Sequence, residues 1–319
     1  MGSAGSPLVW SLALCLCALP PAFAAPADGE EDAAVQKFDA LIKASHFTEA
    51  APELEAYTKE HPDSWRAFYQ LGYVCFRLHR IQDSAKALSR SLALNSQYAE
   101  THKILAFDLN IAGRQQLAIR ELQQAIAINP NSYESHYELG RIYFELGSYP
   151  LAVQEMEKAR ALKPDLVRVW HNLGLAYNAT GDSVKAVECF EKALELNSAQ
   201  QPQSAWPYID YATWYNLQND FENARKLLVT AVQIDARFDQ AFEELGKAYR
   251  GLGDLEQAID SYKKAIALNA RKAEYHYALA QLYRLSHRPE DARLETSRFQ
   301  QLKDAASAAG LSRPVVSAE

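Results

Sequence analysis

Cysteine, glycine and proline are all scarce in this chain of 319 residues. Four Cys are too few for a disulfide scaffold. With only 13 Gly and 13 Pro, few positions interrupt a helix, and the plentiful Ala, Leu, Glu and Gln favour one. Positive charge is also in deficit. Lys and Arg number 33 against 40 Asp and Glu, a formal net charge of −7. That balance argues against nucleic acid or an anionic membrane as the main partner, since both call for basic excess. The motifs H-E-x-x-H, C-x-x-C, G-x-x-x-x-G-K-S/T and G-x-S-x-G are missing. No catalytic residue, metal site or cofactor is therefore expected, and the chain is not expected to be an enzyme. Apolar residues make up 48%, enough to bury a core and to exclude a wholly disordered chain.

One uncharged run is prominent, Leu8 to Leu19. Its twelve residues fall short of the roughly 20 needed to cross a bilayer as a helix. Pro20 and Pro21 end it, and Ala22-Phe23-Ala24 has the small-x-small form of an export cleavage site. Residues 1–24 are expected to be a signal peptide, cut after Ala24, and the chain to be periplasmic or secreted. No Lys or Arg precedes Leu8, which departs from the usual pattern, and the alternative is an uncleaved N-terminal anchor. Cleavage would leave Cys75 and Cys189. They lie three repeats apart in the register below, so two buried thiols are expected rather than a disulfide.

The remainder is periodic. Small residues recur at Gly72, Ala106, Gly140 and Gly174, then at Ala212, Gly246 and Ala280. Two further series, from Ala118 to Ala292 and from Ala125 to Ala265, keep the same 34-residue step. All three share one four-residue insertion, Gln201 to Ser204. Within residues 133–166, His136, Leu139, Gly140 and Tyr143 share one helical face. Gly147 breaks the pattern; Ala152, Met156 and Ala159 resume it; Pro164 ends it. Each unit is thus two antiparallel helices around a short turn. Gly113, Gly147, Gly181 and Gly253 fall in the turns, and Ser148, Asp182, Asp220 and Asp254 are placed to cap the second helices. Pro150 and Pro289 suit a first helical turn.

This pattern resembles the tetratricopeptide repeat (TPR). Trp170, Leu173, Gly174, Tyr177, Ala186, Phe190 and Ala193 reproduce its signature nearly in full. Eight units fit: 31–64, 65–98, 99–132, 133–166, 167–200, 205–238, 239–272 and 273–306. Residues 25–30 read as a linker and 307–319 as a disordered tail. The resemblance implies an all-α, right-handed solenoid of antiparallel helix pairs. Terminal units are atypical, as end faces without a neighbour require. The loop at 197–204 is expected to be the weakest joint and the first site of proteolysis. His102, His136 and His276 occupy the fourth position, usually Trp in the family, and are expected to be substituted core aromatics rather than metal ligands.

Protein glycosyltransferases of this family carry a catalytic domain and an Asn ladder at the sixth position; only Asn172 fills that position here, and the enzyme reading falls away. The family's carboxylate clamp is not recognisable either. The resemblance implies a scaffold that binds a protein or an extended peptide, with the second, fifth, ninth and twelfth positions of each first helix lining a concave groove. Over eight units those positions carry seven basic and six acidic residues. Tyr73 and Phe107, at the usually polar ninth position, are candidate anchors beside Lys103 and Arg141. Tyr69, Tyr137, Arg168, His171 and Trp206 complete the candidate groove. Alternative partners are an envelope synthase or glycan, and further copies of the chain.

Overall fold

The computed structural model describes residues 29–200 and 203–311. The expected signal peptide lies outside them. Among the described residues there are sixteen α-helices and no strand. The first three pairs are α1 (Gly29–Lys43) with α2 (Phe47–Glu60), α3 (Trp65–Arg77) with α4 (Ile81–Leu94), and α5 (Ala99–Ile111) with α6 (Gln115–Ile128). The next are α7 (Tyr133–Glu145) with α8 (Tyr149–Leu162), and α9 (Val167–Thr180) with α10 (Ser183–Ser198). The last are α11 (Trp206–Leu217) with α12 (Phe221–Ile234), α13 (Asp239–Gly251) with α14 (Leu255–Leu268), and α15 (Ala273–Leu285) with α16 (Pro289–Leu311). The chain condenses into two compact bodies, one through Ser135 and the other from His136, the division falling inside α7. Within each, a second helix packs on its own first helix and on the first helix of the next pair, as α4 does on α3 and α5.

A single backbone device makes the pairs antiparallel. One turn residue per unit adopts the left-handed conformation: Ser45, His79, Gly113, Gly147, Gly181, Asn219, Gly253 and His287 all have φ between 56° and 84°. Glycine reaches that region without a Cβ clash, whereas Ser45, His79 and His287 hold it at a cost. Asp182, Asp220 and Asp254 then cap the following helix by accepting from Lys185, Asn223 and Gln257 backbone N–H groups. Ser148, expected to do the same, makes no side-chain cap. There the Leu151 N–H bonds the Ser148 backbone carbonyl at 3.1 Å instead.

The eighth position of the first helix sets how closely the two helices approach. A Cβ on Gly174 would lie 2.8 Å from the Phe190 ring, and one on Gly246 would lie 2.6 Å from the Tyr262 ring. Glycine is required because the facing residue, sixteen positions on, is large. Ala152, Ala159, Ala186 and Ala193 are fully buried at the same helix junctions.

Cys75 and Cys189 are free and buried. Burial raises both thiols, Cys189 to about 12, so neither is poised to react at neutral pH. The long loop is not loose at its flanks. Asn197 is fully buried, donates to the Ser204 carbonyl at 2.8 Å and accepts from the Ser204 N–H at 3.0 Å. The division between bodies falls at Ser135/His136 and not at this loop. At the end of the chain α16 runs on to Leu311. Residues 307–311 are therefore helical rather than tail, and the stretch Asp304 to Ala309 contains no Pro or Gly to stop the turn. At the other end Gly29 and Glu30 already belong to α1 rather than to a linker.

Candidate functional site

The structure buries one aromatic anchor and partly covers the other. Tyr73 is 5% exposed. Its ring meets Phe47 edge-on at 6.3 Å, and its hydroxyl accepts a hydrogen bond from Arg77 at 2.9 Å. Phe107 is half-buried and packs against Phe76, ring centres 6.1 Å apart. Both belong to one apolar cluster with Phe38, Leu54 and Leu88. The reason lies in the preceding unit, where Phe47 opens α2 and reaches the ninth position of α3. Lys103 is buried too, its ammonium 2.6 Å from Glu100. Tyr69 is 2% exposed, against Tyr98. Of the four residues read as one patch, Arg141 belongs to the other body.

In that second body several candidates do converge, on one another. Tyr137 is buried and accepts a hydrogen bond from Asn172 at 2.8 Å. The Arg141 and Arg168 guanidinium groups lie 5.9 Å and 5.4 Å from its ring centre. Arg141 also pairs with Glu138 at 3.0 Å. His171 is buried against Asp210 of the next unit, 2.6 Å away. Trp206 is half-buried, its ring against Phe238. These side chains join successive first helices. They form joints rather than an open surface.

The three histidines do fill the place of an aromatic, with a partner that the aromatic lacks. His102, His136 and His276 each put Nδ1 2.6 Å from a carboxylate oxygen nineteen residues on, in Glu121, Glu155 and Glu295. In units 2 and 5 to 7 the fourth position holds Phe68, Trp170, Tyr208 and Phe242. Nineteen residues on stand Ala87, Cys189, Leu227 and Ser261. Imidazole and carboxylate thus occur together, and so do large ring and uncharged residue. The other ring nitrogen also copies the family residue. His102 and His276 Nε2 lie 3.1 Å and 3.2 Å from the carbonyls of Ser96 and Ala270, six residues back. The Trp170 indole N–H donates to Pro164, also six back.

Around His102, both ring nitrogens face acceptors, so the doubly protonated ring satisfies both. The Glu121 carboxylate raises the pKa of His102 against the opposing effect of burial, and the Ser96 carbonyl adds to the rise. The folded state therefore holds this proton more tightly than the unfolded chain. The stabilisation is complete below the ordinary histidine value of about 6.5 and is lost as pH rises through the folded value. His102→Phe should remove that part of the pH dependence above neutrality. Urea unfolding at several pH values checks this, and an unchanged slope would contradict it.

Open first-helix positions are found near the C-terminal end. Lys247, Arg250 and Arg284 are exposed at the ninth and twelfth positions of the last two units. Lys247 is held by Glu243 and Glu244 at 2.8 Å and 2.7 Å. Glu243 also takes Lys272, which bonds the Tyr275 hydroxyl, which donates to Asp239. A rigid polar network supports this surface, and it mixes cations and carboxylates. The arrangement can hold an extended chain by charge and hydrogen bonding.

Residues 35–99 and 165–237 match sequence profiles described as tetratricopeptide repeat, and 109–147, 140–181 and 246–285 match one described as TPR repeat. Among solved structures, the chain is similar to one described as the APC/C hetero-tetramer Cut9–Hcn1, with 16% identity and a TM-score of 0.63 over 79% of this chain and 49% of that one. A tetratricopeptide repeat protein from Parabacteroides merdae gives 14% identity and 0.60 over 75% and 93%. Pseudomonas aeruginosa pilF gives 22% identity and 0.58 over 68% and 97%. These likenesses are of fold.

Proposed function

Because the chain belongs to the tetratricopeptide repeat family, we propose that it is a scaffold holding an extended segment of another protein along the first helices of its last units, outside the cytosol. One observation carries the reading. The ninth and twelfth positions, closed by Tyr73 and Phe76 in unit 2, are open at Lys247, Arg250 and Arg284 in units 7 and 8. Among the described residues Arg250 and Arg284 have no ion-pair partner, which favours a segment with carboxylates, and the fixed Glu243–Lys272 network limits the reorganisation that binding would cost. The support for export is the apolar run Leu8–Leu19 followed by Ala22-Phe23-Ala24.

Site-specific photo-crosslinking in the native host tests the surface. A photoreactive residue at Lys247 or Arg250 should give a discrete adduct, and one at Lys263, exposed on α14, should not. Equal labelling from both faces, or none from either, would refute it. Intact-mass measurement of the mature protein should show loss of residues 1–24; a full-length cytosolic chain would refute the location.

A further inference from the structure

The last unit ends in a face that the same register covers more fully in the earlier units. At the fifth position of the first helix, Tyr69, Lys103, Tyr137, His171 and Ile209 are all at most 8% exposed. For two of them the following unit supplies a partner, Asn172 for Tyr137 and Asp210 for His171. At the same position of α15, Tyr277 is 51% exposed. Its ring packs on Phe299 of α16, ring centres 5.3 Å apart. Tyr277 and Phe299 floor an open cleft with Leu302, rimmed by Arg271, Lys303 and Glu274. Among the described residues none of these three charges has an ion-pair partner.

We propose that this face binds the same face of a second copy, giving a closed two-fold dimer. Three observations select that occupant. First, the rim carries both signs, so rotation about a two-fold axis can bring Glu274 of one copy to Arg271 or Lys303 of the other and satisfy charges on both.

Second, a head-to-tail joint lacks its insert. Later first helices place leucine at the seventh position, as in Leu173, buried with Ala152 and Met156 of the preceding unit, and Leu279, buried with Ala258 and Tyr262 of the preceding unit. In α1 that position is Lys37, exposed and bound to Glu53, and Ala33 and Ala40 on the same side are exposed as well. The outward face of α1 is a solvated cap, so growth into a filament has nothing to drive it.

Third, Phe299 stands at the position where Ala125, Ala159, Ala193, Ala231 and Ala265 are fully buried beneath the next helix. A phenyl ring there keeps an incoming helix from seating at the earlier depth. It enlarges a flatter apolar floor, which suits two like faces meeting.

The test is light scattering coupled to size exclusion on the full mature chain, from low to high micromolar concentration. Wild type should shift from monomer to dimer and stop there. Tyr277→Glu should weaken the dimer by at least about tenfold. Glu274→Lys alone and Arg271→Glu with Lys303→Glu should each stay monomeric, while their mixture should regain a heterodimer. That rescue distinguishes lost contact from misfolding, and circular dichroism should show native helix content for all three. A monomer at every concentration, as would follow if residues 312–319 or another protein occupied the cleft, overturns the proposal. Open-ended polymers, or a dimer indifferent to Tyr277→Glu, overturn it equally.

Discussion

Replacing Asp108 with leucine should stabilise the chain by about 2–4 kcal/mol at pH 8 and by much less near pH 4. Asp108 sits at the tenth position of α5, where other first helices carry Val74, Ile142 and Leu282. It is 1% exposed, and neither carboxyl oxygen has a hydrogen-bond partner. The nearby Ser84 hydroxyl is committed to the Gly72 carbonyl at 2.8 Å. Burial pushes the Asp108 carboxyl up to about 7, with Ser84 opposing only in part. The sign follows from proton counting. Between the unfolded value of about 3.9 and the folded value, the folded chain holds a proton that the unfolded chain has released. Stability from this group therefore falls as pH rises through that window and levels off above it. Roughly three pH units at 1.36 kcal/mol each set the upper bound, and imperfect packing of the larger leucine lowers it. Asp108→Asn should keep the polar cost but lose the pH slope. Urea unfolding at pH 5 and pH 8 reads both quantities. A gain independent of pH, or a loss at pH 8, would show that the carboxylate is solvated or paired.

How far the sequence predicts this protein depends on whether a feature repeats. The helix pairs, their turn phase and the close approach at Gly174 and Gly246 recur every 34 residues, and recurrence makes them legible in the sequence alone. The groove does not recur in that sense. Assigning Tyr73 to an open surface assumes that the ninth position of every unit sees solvent, yet Phe47 closes it in unit 2. That contact joins two non-homologous positions in neighbouring units, so no single unit displays it. Tyr277 is the converse. Its position is among the groove positions, but its exposure comes from the lack of a following unit among the described residues. Asp108 is a lone acid in an apolar column, a signal that the aligned units carry in their residue types. The histidine–glutamate pairing is another. The nineteen-residue offset joins two helices of one unit, and comparing units shows Glu121, Glu155 and Glu295 at that offset in every unit whose fourth position is His, whereas each large ring faces an uncharged residue there. Reading the histidines singly, as replacements for Trp, hides their partners.

That pairing leads to the second large effect. Glu155→Ala should destabilise the second body by about 3 kcal/mol, and adding His136→Phe should restore most of the loss. His136 and Glu155 are both buried, with Nδ1 and the carboxylate oxygen 2.6 Å apart. Removing the carboxylate leaves a buried imidazole without its acceptor and opens a void beside it. The double substitution recreates Phe68 and Ala87, which unit 2 already packs at the same two positions. The chain thus contains its own control for an apolar solution to this joint. Burial alone would raise the Glu155 pKa, but hydrogen bonds from His136 and Lys158 outweigh it and the net shift is downward. A carboxylate with a lowered folded pKa contributes stability above its unfolded value of about 4.3 and loses it as pH falls through the folded one. Acid should therefore erode the wild type at this joint and leave the Phe–Ala version unaffected. The measurement is a four-cornered cycle of urea unfolding at pH 7, repeated near pH 4. A coupling energy of about 2 kcal/mol at pH 7 that shrinks in acid is the expected result. Additive losses, with the double variant less stable than either single one, would mean that the pair is not a unit and that each side chain is held by other neighbours.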